Sequence, residues 1–124
     1  MTADRLSFVR IRSHLTAIVR LSGTEEIVRA LTRDIGVSGV RLLTEAPLPS
    51  GELIGVELEL PDRGQRIVFT GEVVWSKHIE GAAVGEDESA IESGIKFITI
   101  DPKEREALMQ WVALNTLHPN LGDR

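Results

Sequence analysis

The 124-residue sequence has no cysteine, no tyrosine, and only two tryptophans and three phenylalanines. Without cysteine there is no disulfide framework, no thiolate zinc site and no thiol nucleophile. The chain does not need such staples, because at this length roughly two-thirds of the unfolded surface can be buried. No apolar run approaches the roughly 20 residues of a membrane-spanning helix. The first twelve residues carry Asp4, Arg5, Arg10 and Arg12 and no long apolar stretch, so no secretory signal is expected there. These absences predict a cytoplasmic domain without membrane insertion.

Chemistry is scarce too. His14, His78 and His118 are scattered, and none has the spacing of an HExxH metal site. The phosphate-binding patterns GxGxxG and GxxxxGKS/T are missing. Gly36-Val37-Ser38-Gly39 starts like a nucleophile elbow, but the second glycine of GxSxG would fall on Val40. Glu86, Asp87 and Glu88 lack the alternating ligand spacing of a calcium loop. Neither a catalytic residue, a metal nor a cofactor is expected, so the protein reads as a non-enzyme.

Charge is unevenly placed. Net charge is -5, which argues against a nucleic-acid partner. Residues 1–41 nevertheless carry seven arginines against four acids (+3), and residues 42–124 carry seven basic against fifteen acidic residues (-8). All the cations of the first third are arginine, a bias towards planar, bidentate recognition.

Period-two alternation dominates the first hundred residues and predicts strands. Leu15, Ala17, Val19 and Leu21 share one face, and so do Ile54, Val56, Leu58 and Leu60. Weaker strands are read at Ile27–Thr32 and Val40–Leu43, and a long one at Arg66–Ser76 with Ile67, Phe69, Val73 and Trp75 on one face. Pro61-Asp62-Arg63-Gly64 reads as a hairpin turn, 77–92 as an acidic solvated loop, and Ser93–Ile100 as the last strand. Asp101-Pro102-Lys103-Glu104 has an Asp cap, Pro at the first helical position and Glu three residues after the cap. Leu108, Trp111, Val112 and Asn115 then recur at helical spacing. The expected fold is mostly β: a six-stranded antiparallel barrel closed by a C-terminal helix at about 102–117. Residues 1–12 read as a flexible arginine-containing arm, 13–118 as barrel plus helix, and 119–124 as a tail. The helix stripe can cover the domain's own barrel or a second subunit; the first is favoured because a small barrel needs its open end covered. A monomer or weak dimer is expected.

The segment from Asp34 to Leu42 places an acid and two glycines, Gly36 and Gly39, between two strands. Asp34 can accept from paired N–H donors such as a guanine edge, arginine can fork to guanine or phosphate, and glycine permits close backbone approach. A guanine nucleotide with accessible phosphates meets all three needs; a plain turn with Asp34 as a turn residue is the alternative.

Here the sequence resembles the PilZ domain family, receptor modules for cyclic di-GMP. Asp34-Ile35-Gly36-Val37-Ser38-Gly39 stands where the family has D/N-x-S-x-x-G. Phe8-Val9-Arg10-Ile11 resembles the end of its RxxxR motif, and Gly71-Glu72-Val73-Val74-Trp75 and Gly94-Ile95-Lys96-Phe97 resemble later landmarks. Two positions depart from the pattern: Gly36 replaces the serine, and Leu6 stands at the first arginine, one residue after Arg5. An alternative alignment starts the motif at Arg10 and puts His14 at the second arginine. The resemblance implies a β-barrel with a C-terminal helix and a cyclic di-GMP site formed by Arg5, Arg10, Asp34, Gly36 and Gly39. It also implies an adaptor role towards a protein effector. The two departures leave open a degenerate domain that does not bind the nucleotide and acts as an adaptor for motility, pilus or exopolysaccharide machinery.

Overall fold

The computed structural model describes residues 10–12, 15–21, 23–61, 65–80 and 89–117. Among these residues the elements are β1 (Arg10–Arg12), β2 (Thr16–Leu21), β3 (Ile27–Gly36), β4 (Gly39–Thr44), β5 (Leu53–Leu60), β6 (Gln65–Glu80), β7 (Ser89–Ile100) and the helix α1 (Pro102–Leu117). The strands run in the order β1-β3-β2-β5-β6-β7-β4, and β4 pairs back onto β3. Strands β2 to β7 thus close into a six-stranded antiparallel barrel, as the alternation predicts. Closure leaves these strands without a free edge.

The barrel is filled by the residues that the period-two pattern selects. Ala17, Val19, Ile54, Val56, Leu58, Leu60, Ile67 and Val73 are all at most 1% exposed. Burying a side chain such as Val, Leu or Ile is worth about 1.5–3 kcal/mol each, so this interior is the main source of stability. Phe69 and Phe97 meet edge to face, with ring centroids 4.7 Å apart. Helix α1 covers its own barrel: Leu108 and Val112 join the core, with Trp111 partly buried against it. Its start follows the expected cap, since Lys103 N–H donates to Asp101 Oδ1 at 2.9 Å. Glu104 instead accepts from Val68 N–H at 3.3 Å, tying the helix to β6.

Four sequence expectations change. Residues 10–12, read as part of a flexible arm, form β1: Arg10, Ile11 and Arg12 pair with Gly36, Ile35 and Asp34. They take up backbone groups of β3 beyond its pairing with β2, and Leu15 N–H donating to Thr32 Oγ1 at 2.8 Å secures the join. Strand β3 continues to Gly36, so only Val37 and Ser38 separate it from β4. The acidic loop read at 77–92 is shorter, because β6 and β7 pair from Lys77↔Glu92 out to Glu80↔Ser89. Finally, the register shifts between Val73 and Trp75, which takes Trp75 off the inward face shared by Ile67, Phe69 and Val73. The turn residues 62–64, the acids at 86–88, His14, His118 and the 119–124 tail lie outside the described residues.

Candidate functional site

Three adjacent strands, β4, β7 and β6, build an open pocket of about 540 Å³ on the barrel wall. Its lining includes Ser38, Gly39, Arg41, Trp75, Gly94 and Lys96. That volume lies within the roughly 300–1,000 Å³ of typical small-ligand sites. Two glycines shape it. At Gly39 a Cβ would strike the backbone of Ile95 and Lys96, so only glycine lets β4 and β7 run this close. At Gly94 a Cβ would strike Nε1 and Cε2 of Trp75, so the missing side chain leaves room for the indole to lie across β7.

Asp34 sits beside this pocket, buried, with its side chain 4% exposed. Both Nε and Nη2 of Arg41 donate to Asp34 Oδ2, which pins the guanidinium to the barrel wall. Arg41 Nη1 also lies 3.8 Å from Glu92 Oε2. Glu92, only 2% exposed, is faced from two further strands by Arg33 Nε at 3.0 Å and Lys77 Nζ at 3.7 Å. Lys77 in turn stands over the Trp75 ring, 5.5 Å from its centroid. The hydrogen bond to Asp34 raises the Arg41 pKa above its ordinary value; partial burial opposes this, and the charges of Asp34 and Glu92 reinforce it. Among the described residues no His, Cys, Asp and Glu group could hold a metal ion. No helix among them is long and apolar enough to cross a membrane.

The residues singled out in the sequence are partly gathered. Gly39 lines the pocket, Asp34 lies behind it through Arg41, and Gly36 is buried in β3 opposite the Arg10 backbone. Arg5 lies outside the described residues. Sequence reasoning missed Arg41, Trp75, Glu92 and Lys96 as site residues. One signal was present for Trp75: an isolated glycine such as Gly94 within a strand pattern often marks a close approach.

Solved structures share this fold. The PilZ domain of Escherichia coli YcgR, solved with c-di-GMP, matches with a TM-score of 0.69 at 13% identity, over 93% of this chain and 95% of that one. The Bacillus subtilis inhibitor of motility MotI/DgrA matches with a TM-score of 0.70 at 18% identity, over 89% of this chain. Borreliella burgdorferi PlzA, solved in complex with c-di-GMP, matches with a TM-score of 0.61 at 10% identity, over 98% of this chain. This chain spans 50% of the MotI/DgrA chain and 56% of the PlzA chain. No curated protein matches the sequence. The profile of the PilZ domain matches residues 4–114, nearly the whole chain, and the chain belongs to the PilZ domain family.

Proposed function

We propose that this protein is a non-enzymatic receptor for cyclic di-GMP that relays the level of the nucleotide to a protein partner. The observation that carries this reading is the pocket where Gly39, Arg41, Trp75 and Lys96 converge next to Asp34, in a PilZ fold. Indole and guanidinium planes are natural stacking surfaces for guanine, and two cations suit its phosphates. In this reading Arg10, with Arg5 assisting, contacts guanine and phosphate from the N-terminal segment. Asp34 accepts from guanine N–H groups, and Gly36 and Gly39 keep the backbone within reach. E. coli YcgR and PlzA, both solved with c-di-GMP, support the choice of ligand.

Calorimetric titration with cyclic di-GMP, at low and physiological salt, tests the reading. Binding is expected, weakening with salt, and Arg10→Ala should weaken it roughly tenfold or more. Absence of heat at about 100 μM ligand, repeated by a second method, would overturn it, since weaker binding leaves the range of a useful receptor.

One observation favours a second reading, the adaptor that ignores nucleotide: Oδ2 of Asp34 already accepts two bonds from Arg41, and Gly36 carries no hydroxyl. Recovery of the same partner in a pull-down with and without cyclic di-GMP would support that alternative.

A further inference from the structure

Arg41 occupies an unusual place for an arginine that merely neutralises a carboxylate. It sits on β4 directly opposite Gly94, and Gly94 is directly opposite Trp75 on β6. This row of guanidinium, bare backbone and indole crosses three strands, about 10 Å from first to last at normal strand spacing. All three residues line the pocket.

The charges around Arg41 are layered. The two carboxylates, Asp34 and Glu92, are 4% and 2% exposed, whereas Arg33, Arg41 and Lys77 are 40%, 36% and 59% exposed. Lys96, another pocket residue, is exposed as well. Around Arg41 negative charge thus lies against the barrel and positive charge faces water, although the whole chain carries -5 and the half-buried Glu72 pairs opposite Lys96. An anion approaching Arg41 meets cations first. Asp34 takes two of the five N–H donors of Arg41, leaving others available. Because the barrel already holds the side chain in one geometry, ligand binding need not order it.

We propose that Arg41 is the ligand-fixing arginine of this pocket, a rigid guanidinium that binds the phosphate or guanine edge of a guanine nucleotide from the barrel wall. It supplies the contact that Leu6 cannot supply at the first motif position. The assignment of a cyclic dinucleotide rests on the receptor reading above; the contact with a phosphate-bearing guanine does not.

Arg41→Lys separates this role from a structural one. Lysine keeps a positive charge beside Asp34 but cannot fork or stack as a plane. Wild type, Arg41→Lys and Arg41→Gln, all in a Trp111→Phe background, are titrated with cyclic di-GMP and with 5′-GMP while Trp75 fluorescence is followed. Arg41→Lys should stay folded with a modestly lower thermal midpoint, because it loses the forked bond to the buried Asp34. At a temperature where it is fully folded it should weaken binding roughly tenfold or more, and Arg41→Gln should also flatten the dependence of affinity on salt. If Arg41→Gln does not fold, Arg41→Lys alone decides. Equal cyclic di-GMP affinity in wild type and folded variants overturns the proposal and leaves the receptor reading intact. Arg41-dependent binding of 5′-GMP without binding of cyclic di-GMP upholds the proposal and overturns the receptor reading. Binding of neither nucleotide overturns both.

Discussion

Gly39→Ala isolates the tightest point of the barrel. Gly39 opens β4 and pairs with Lys96 of β7, and Phe97 N–H donates to Ser38 O at 3.1 Å beside it. An added Cβ would lie 3.1 Å from the Ile95 carbonyl carbon and 3.3 Å from Lys96 Cα, and nearer still to the Ile95 oxygen. All of these are backbone atoms, so no side chain can rotate away; β4 and β7 must separate. Overpacking of this kind costs about 1–3 kcal/mol. Stretching the adjacent ladder hydrogen bonds adds about 0.5–1.5 kcal/mol for each one lost. The expected sum is about 3 kcal/mol, a fall in melting midpoint of roughly 12 °C at about 4 °C per kcal/mol for a domain of this size. Calorimetry or thermal circular dichroism measures it. Gly55→Ala is the control, because its Cβ would meet only Arg20 Cβ at 3.8 Å, an ordinary contact. That change should be neutral or stabilising by up to about 1 kcal/mol. A Gly39→Ala midpoint within about 2 °C of wild type, or an equal loss in both variants, would refute the steric reasoning.

Gly36→Ser, alone and with Leu6→Arg, should tighten cyclic di-GMP binding by up to roughly tenfold for the hydroxyl, with the double variant tighter still. Gly36 does not have the positive φ that would penalise serine, so a folded double variant that still ignores the ligand would show a surface rebuilt for another partner. Gly94→Ala should push the Trp75 ring off β7, changing its fluorescence and weakening nucleotide binding; an unchanged spectrum with unchanged affinity would contradict the close contact. Asp101→Ala removes the side-chain cap of α1 and should cost about 0.5–2 kcal/mol in denaturant unfolding, leaving the barrel folded.

The barrel was legible because its inward residues obey a local rule. Ile54 to Leu60 announce a strand with a dry face, and Asp101 to Glu104 announce a helix start. The outer β6–β7 ribbon was not legible, because its pairing does not rest on such a face. Lys77, His78 and Glu80 are exposed, and the buried Glu92 looks like a loop acid until cations from β3, β4 and β6 are brought to it. Trp75 was misread for a related reason: the register shift after Val73 reverses the alternation, and a single strand cannot reveal a bulge that its partner imposes. Within the site, Asp34, Gly36 and Gly39 cluster in the sequence and could be found together. Arg41 adjoins that cluster, but its role depends on Trp75, Glu92 and Lys96, which lie far along the chain.

The β4–β7 pairing also has a consequence in time. Gly39–Thr44 must wait for Ile91–Lys96, roughly fifty residues later, before the ring of strands can close. Contacts so distant along the chain carry a loop-closure cost and tend to form slowly. The pocket straddles this seam, with Ser38 to Arg41 on one side and Gly94 to Lys96 on the other. During synthesis it therefore cannot exist until the seventh strand has emerged, and a chain cut short before that strand has no wall opposite Arg41. A ligand seated there clasps the last closure of the barrel. It should act on the rate at which the ring reopens, protecting the backbone amides of β4 and β7 from hydrogen exchange ahead of those of β2 and β5.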